Sequence, residues 1–206
     1  MREFLLYAQE AVTEPFSLNN LSGSGRMDVI VRCVSSTFFL SSSLRKDSNL
    51  YISLNGPPRP PVLLSFLGSE LKGLYYDERS IAGKIREALR LVANKNRTRV
   101  SKGFYAERIS FRDFIKDFAE KRRLVYLHQN GKDIRDTRFL GNELFILGDH
   151  GGLPQKEEKF LDSIGAERIS VGPEIYLASH CIVLVHNEID RKCSEGEKGF
   201  YGEKSG

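Results

Sequence analysis

No apolar run in this 206-residue chain approaches the roughly 18 to 20 consecutive residues that a membrane helix needs. The opening Met1-Arg2-Glu3-Phe4-Leu5-Leu6 lacks the long apolar region and small-residue cleavage site of a signal peptide, because Glu3 and Gln9 interrupt it. Cysteine is scarce. Cys33, Cys181 and Cys193 form an odd, widely spaced set without the pattern of a disulfide framework. Reduced thiols and a cytoplasmic location are therefore the expectation. The phosphate-binding GxxxxGK(S/T) loop, the GxSxG nucleophile elbow and the HExxH metal pair are all missing. Gly23 and Gly25 lack a third glycine and follow no strand directly, which excludes a dinucleotide fingerprint. A metal centre would have to combine His180, Cys181, His186 and Cys193. No CxxC or HxxxH pair accompanies them, so no metal is expected.

What is present is ordinary globular composition, 40% hydrophobic and 28% charged, with a net charge of +4 that conceals an asymmetry. Between Lys84 and Arg123 stand thirteen Lys/Arg against five Asp/Glu, and the rest of the chain is mildly acidic. A basic stretch confined to one region suggests a polyanion contact, and Asn94-Lys95-Asn96-Arg97-Thr98-Arg99 favours RNA. The alternative is a solvated helix face carrying Lys84, Arg86 and Arg90.

Hydrophobic periodicity gives a strand at Phe4–Ala8, a helix over Val29–Leu40, and neighbouring strands at Leu50–Leu54 and Val62–Leu67. The proline-rich turn between those two strands cannot supply ladder donors. Asp77 precedes a helix whose Ile81, Ile85, Leu89 and Val92 recur at three- and four-residue spacing. A second amphipathic helix covers Phe111–Glu120. Strands at Leu124–His128, Leu144–Leu147 and Glu167–Ser170 then alternate with helices at Pro154–Ile164 and His180–Arg191. This alternation predicts an α/β fold with a mostly parallel sheet. One domain should span residues 1–192, followed by a glycine-rich, flexible tail at 193–206.

His128 and His150 each follow an apolar strand, at the carboxyl edge of the sheet where open α/β folds bind ligands. Gly131, Gly148, Gly151 and Gly152 at the same edge allow a backbone to approach a ligand closely. Each could equally serve a turn. Together they suggest a backbone-lined pocket built from successive strand-end loops.

Three segments carry a family resemblance: Leu127-His128-Gln129-Asn130-Gly131, Leu147-Gly148-Asp149-His150-Gly151-Gly152, and Val171-Gly172-Pro173 through Ala178-Ser179-His180-Cys181. Upstream it extends through Met1-Arg2-Glu3-Phe4, Gly25-Arg26-Met27-Asp28, Arg32-Cys33-Val34-Ser35, Phe66-Leu67-Gly68-Ser69-Glu70-Leu71 and Asp77-Glu78-Arg79. In this order the chain resembles the archaeal tRNA pseudouridine-54 N1-methyltransferases of the SPOUT superfamily, from Met1 to about Lys192. The 95–102 segment and the tail lie outside the match.

The resemblance implies a deep trefoil knot, formed within about 123–192, that binds S-adenosylmethionine. Adenosyl contacts would fall at Leu127, Gly148 and Cys181, with Leu147 and Leu177 as apolar walls. A thiol nucleophile at Cys181 is the competing reading. The reaction implied is methylation of N1 of pseudouridine 54 in the T-loop. Asp77 is then the first candidate for the catalytic contact to the base, its alternative being a helix N-cap. Arg26, Asp28 and Arg32 are candidate substrate-binding residues. A homodimer acting on tRNA is implied, with neither a membrane nor DNA as partner. A ribosomal RNA pseudouridine N1-methyltransferase, or a non-catalytic RNA-binding protein on the same fold, are the alternatives.

Overall fold

The computed structural model describes residues 1–92 and 97–201. Its elements run β1 (Arg2–Ala8), α1 (Met27–Phe38), β2 (Ser48–Leu54), β3 (Val62–Leu67), α2 (Glu78–Val92), β4 (Arg97–Ser101) and β5 (Phe104–Glu107). They continue with α3 (Phe111–Ala119), β6 (Arg123–Asp133), β7 (Glu143–Gly148), α4 (Gln155–Ser163), β8 (Glu167–Ser170) and α5 (Ala178–Tyr201). Among the described residues, eight strands form one sheet in the order β4-β5-β3-β2-β1-β7-β6-β8. From β2 to β8 the pairs are parallel, and β3, β5 and β4 complete the sheet antiparallel. The α/β reading with a mostly parallel sheet is confirmed.

Helices cover both faces, which is why β1 reads as an unbroken apolar run rather than an alternation. Phe4, Leu6 and Ala8 pack with residues of α1, α2 and α5, among them Ile30, Ile85 and Ile182. Leu5 and Tyr7 point the other way, into a cluster with Phe111 and Phe114 of α3 and Leu161 of α4. Helix starts follow their local chemistry. Ser110 Oγ accepts the N–H of Asp113 at 3.1 Å to open α3, and Pro154 stands immediately before α4.

The sheet edge and the last helix depart from the sequence reading. The hairpin β4–β5 was not among the expected elements: it is the outer edge of the sheet, half solvated, so Arg97-Thr98-Arg99 carries no apolar signal. Residues 93–96 lie outside the described residues, and with them 94–96 of the stretch read as favouring RNA. The last helix does not stop at Arg191 but continues to Tyr201. Its core residues Ile182 and Val185 are fully buried, and once packing nucleates a helix each added residue brings its own hydrogen bond. Of the expected tail, 202–206 lie outside the described residues.

The chain reverses its direction of travel across the sheet at β1, whose neighbours are β2 on one side and β7 on the other. The crevice beyond the carboxyl ends of β1, β7 and β6 is the position where such sheets hold ligands.

Candidate cofactor pocket

Three segments meet in that crevice. β6 does not end at His128, as the sequence suggests, but runs to Asp133; its ladder with β8 shifts register between Leu127 and Lys132, so His128–Gly131 bulge out of the pairing. β7 ends at Gly148. The next residue is tied down on three sides: Asp149 N–H donates to the Tyr7 carbonyl at 3.1 Å, while its carboxylate accepts the N–H of Gln9 at 2.8 Å and of Gly151 at 3.0 Å. The third loop runs from Ser170 to Ala178, where α5 begins. Between them lies a cavity of about 460 Å³, walled by Leu127, Leu147, Val171 and Leu177 and bordered by His128, Asp149, His150, Glu158 and Glu174.

Clefts of nearly the same volume occur at Arg135–Cys193 and around Glu3 and Arg122. Size therefore does not distinguish this one; its position at the strand ends and its mixed apolar and acidic lining do. Gly148 is required by close backbone approach, since a Cβ there would stand 2.0 Å from the Gly152 carbonyl carbon.

The histidines of the pocket differ in state. Asn130 N–H donates to His128 Nδ1 at 3.1 Å, so Nε2 carries the proton of the neutral ring and faces Glu158 at 3.7 Å. His150 stands between two carboxylates, with Nδ1 3.5 Å from Asp149 and Nε2 4.0 Å from Glu10. Cys181 lines the pocket at the start of α5, its N–H bonded to the Leu177 carbonyl at 2.9 Å. Burial pushes its thiol up to about 11, so it holds its proton at neutral pH and is no thiolate nucleophile.

Beside the pocket, Arg26 opens α1 in the left-handed region at φ 63° and forks onto Asp28, with Nε–Oδ1 3.0 Å and Nη2–Oδ2 3.1 Å. Arg32 approaches the same carboxylate at 3.4 Å and Glu78 at 3.5 Å. The Arg26 hydrogen bond outweighs burial and holds Asp28 below the usual carboxylate range. Arg26 also lies in the field of Asp149 and Glu10, which links this ion-pair cluster to the pocket.

Leu127, Leu147, Gly148, Leu177 and Cys181 are thus gathered in one cavity, and Arg26, Asp28 and Arg32 in the adjoining cluster. Asp77 is not in the cavity lining; its Oδ1 accepts the Ser80 N–H at 2.7 Å as the cap of α2. Glu10, Glu158 and Glu174 were not singled out from the sequence. For Glu10 the available signal was its place just beyond the first strand.

Much of the basic run holds the fold together. Arg112 pairs with Glu157 at 2.9 Å, Arg122 with buried Glu3 at 2.6 Å and Arg123 with Glu167 at 2.5 Å. Arg99, Lys102 and Lys121 remain exposed. Among the described residues, no cluster of three or more His, Cys, Asp or Glu is placed to hold a metal ion, and no helix is long and apolar enough to cross a membrane.

Known proteins are similar to this chain. A Methanococcus maripaludis protein named tRNA (pseudouridine(54)-N(1))-methyltransferase is 46% identical over 196 residues, covering 93% of this chain and 99% of its own. A Methanocella arvoryzae protein of the same name is 44% identical, with 93% and 100% covered. The crystal structure of Archaeoglobus fulgidus Nep1 bound to S-adenosylhomocysteine superposes with a TM-score of 0.62 over 94% of this chain and 99% of that one, and at 14% identity this likeness establishes a common fold. The family model described as "Putative SAM-dependent RNA methyltransferase" matches residues 1–194. The chain belongs to this family of SAM-dependent RNA methyltransferases.

Proposed function

We propose that this protein transfers the methyl group of S-adenosylmethionine to N1 of pseudouridine 54 in tRNA. The observation that carries the reading is the match, end to end, to relatives that bear the name of this reaction.

The residues of the cavity fit the cofactor. Leu127, Leu147 and Leu177 offer apolar walls for an adenosyl group, and Asp149, Glu158 and Glu174 suit a cationic sulfonium with its ammonium. Gly152 lines the cavity, and a Cβ there would meet nothing within 4 Å, so its absence leaves the cavity open. When bound, the cofactor supplies a methyl group already activated on sulfur. The protein's task is then alignment of the incoming nitrogen. Pseudouridine is joined to ribose through carbon, so its N1 carries a proton that must leave.

Arg26 and Arg32, beside the cavity, are suited to hold phosphates or the base while the target nucleotide leaves its stack. Asp28 fixes both guanidiniums. Exposed Arg99, Lys102 and Lys121 are available to the tRNA backbone at longer range. Asp77, next in sequence to the Glu78 that meets Arg32, would contact the base in addition to capping α2.

Residues 1–192 act as one catalytic domain whose 123–192 portion threads into a trefoil knot, a reading that rests on the family resemblance. A homodimer also belongs to this reading. Val183, 47% exposed on α5 near exposed Leu40, supports a contact there. Cytoplasm is the compartment that suits a tRNA-modifying enzyme with three free cysteines. DNA and membranes are not part of the proposal.

The test is methyl transfer from labelled S-adenosylmethionine to two tRNA transcripts, one with pseudouridine at position 54 and one with uridine. Nucleoside mass spectrometry locates the product. Methylation of the pseudouridine transcript alone is expected. No product despite measurable cofactor binding would redirect the assignment to ribosomal RNA, and absence of both would leave an RNA-binding protein.

A further inference from the structure

We infer that His150, flanked by the fixed Asp149 carboxylate, accepts the N1 proton of the target nucleotide. The inference deepens the proposed methyl transfer and rests on it.

Among the described residues, His150 is the histidine of this cavity whose ring makes no hydrogen bond. His128 Nδ1 is taken by the Asn130 N–H at 3.1 Å, so the neutral ring has no lone pair free. The Cys181 thiol is pushed up by burial, and Asp28 is neutralised by Arg26 and Arg32. His186 is buried toward the amino-terminal end of β1, against Phe4 and Arg2. Asp77 is engaged in its cap.

His150 differs from each of these. Its Nδ1 lies 3.5 Å from Asp149 Oδ1. Glu10 stands 4.0 Å from Nε2, and neither contact meets hydrogen-bond geometry, so both ring nitrogens are uncommitted. The ring is 32% exposed and borders the cavity.

The flanking carboxylate is itself fixed. Asp149 is 2% exposed at its side chain and accepts two main-chain N–H groups, from Gln9 and Gly151. The segment carrying Glu10 is clamped in turn: a Cβ on Gly25 or on Gly56 would meet the Glu10 carbonyl at 1.9 or 2.2 Å. A fixed carboxylate beside an imidazole that borders the cavity and is held by no hydrogen bond supplies the elements of a general base.

The proton balance is simple. The N1–H proton passes to a ring nitrogen of His150, and the electron pair it leaves on N1 forms the bond to the methyl carbon. The electron pair of the broken methyl–sulfur bond stays on sulfur. Asp149 and Glu10 offset the charge the ring gains, with Arg26 in the field of both carboxylates. His128, Glu158 and Glu174 complete the titratable groups of the same cavity.

The experiment compares the full-length chain with His150→Ala and His150→Gln in single-turnover methylation of the pseudouridine transcript across pH. Calorimetry measures S-adenosylmethionine affinity in parallel. The expected result is a loss of about 100-fold or more in rate, cofactor affinity within about threefold, disappearance of the acid limb, and partial rescue of the alanine variant by imidazole. Turnover within about threefold of wild type, or equal losses of rate and cofactor affinity, would overturn the assignment. A readout independent of turnover is the ¹⁵N spectrum of the His150 ring in wild-type protein. A neutral ring at the pH of turnover is expected, and an imidazolium there would overturn the assignment. Substrate error appears separately, as failure of the wild-type chain on the transcript.

Discussion

The Asp149 carboxylate accepts the main-chain N–H of Gln9 at 2.8 Å, joining the end of the first strand to a loop 140 residues later in sequence. The same carboxylate accepts the Gly151 N–H at 3.0 Å, so one buried side chain sets the spacing of two walls of the crevice. Asp149→Asn replaces one acceptor oxygen with an NH₂ group that faces a main-chain donor. An unsatisfied buried donor costs about 1–3 kcal/mol, so cofactor affinity should fall roughly tenfold to a hundredfold. Calorimetric titration with S-adenosylmethionine measures this. An unchanged affinity would show that the Gln9–Asp149 contact does not shape the pocket.

Gly148 and Gly151 lie three residues apart in one loop but should respond oppositely to alanine. At Gly148 the added Cβ would meet the Gly152 carbonyl carbon at 2.0 Å, a backbone atom that cannot swing aside. A larger residue there would thus deform the loop itself, rather than simply fill the space for the cofactor. Gly148→Ala should cost about 1–3 kcal/mol of stability and weaken cofactor binding. At Gly151 the nearest atom is Asp149 Oδ1 at 3.6 Å, ordinary contact, so Gly151→Ala should fold with an unchanged melting temperature. Thermal denaturation of the two variants decides the point, and equal losses would contradict the geometry.

Asp77 offers a clean separation of two roles. Its Oδ1 caps α2 through the Ser80 N–H at 2.7 Å, and asparagine caps about as well as aspartate. Asp77→Asn should therefore keep its melting temperature, whereas Asp77→Ala should lose about 1 kcal/mol. If Asp77 also contacts the base, the asparagine variant will lose methyl transfer while keeping both stability and cofactor affinity. Full activity in Asp77→Asn would reduce the residue to a cap.

The parts of the site that could be read from the sequence are those governed by local rules. An apolar run followed by glycine or histidine marks the sheet edge at Gly148, where β7 ends, and at His128, where β6 bulges and continues to Asp133 instead of ending. Asp77 before an amphipathic run likewise announced its helix. Glu10 gave no such pattern, because its approach to His150 depends on β1 and β7 pairing in register from Glu3–Leu144 to Tyr7–Gly148. Arg122 and Arg123 read as part of a basic patch, yet their partners Glu3 and Glu167 are 119 and 44 residues away in sequence. A charge run announces its sign, but only tertiary structure decides whether it meets solvent, RNA or a buried carboxylate. The hairpin β4–β5 escaped for a related reason, since an edge strand can remain polar without breaking its ladder.

His186 links the fold to pH. The Arg2 guanidinium can only donate, so its 3.3 Å approach makes His186 Nδ1 the acceptor, and the buried Nε2 has no partner. Burial, then the nearby Arg45 and Arg2 charges, push this histidine down to about 3 from 6.5. The folded state therefore refuses a proton that the unfolded chain accepts below about pH 6.5. Stability contributed by the neutral ring is complete above that value and declines as pH falls, with a limiting slope of about 1.4 kcal/mol per pH unit for one proton. The nearby Asp190 is held low against its burial by Arg45 and Arg2, and its contribution is lost only at more acid pH, below about 4. Between about pH 6.5 and 4.5 the difference between wild type and His186→Gln therefore reports the histidine. Urea unfolding across that window should show the wild-type curve falling more steeply than the variant's. Parallel curves would mean that His186 takes up its proton in the folded protein, through an opening of the contact among β1, α1 and α5.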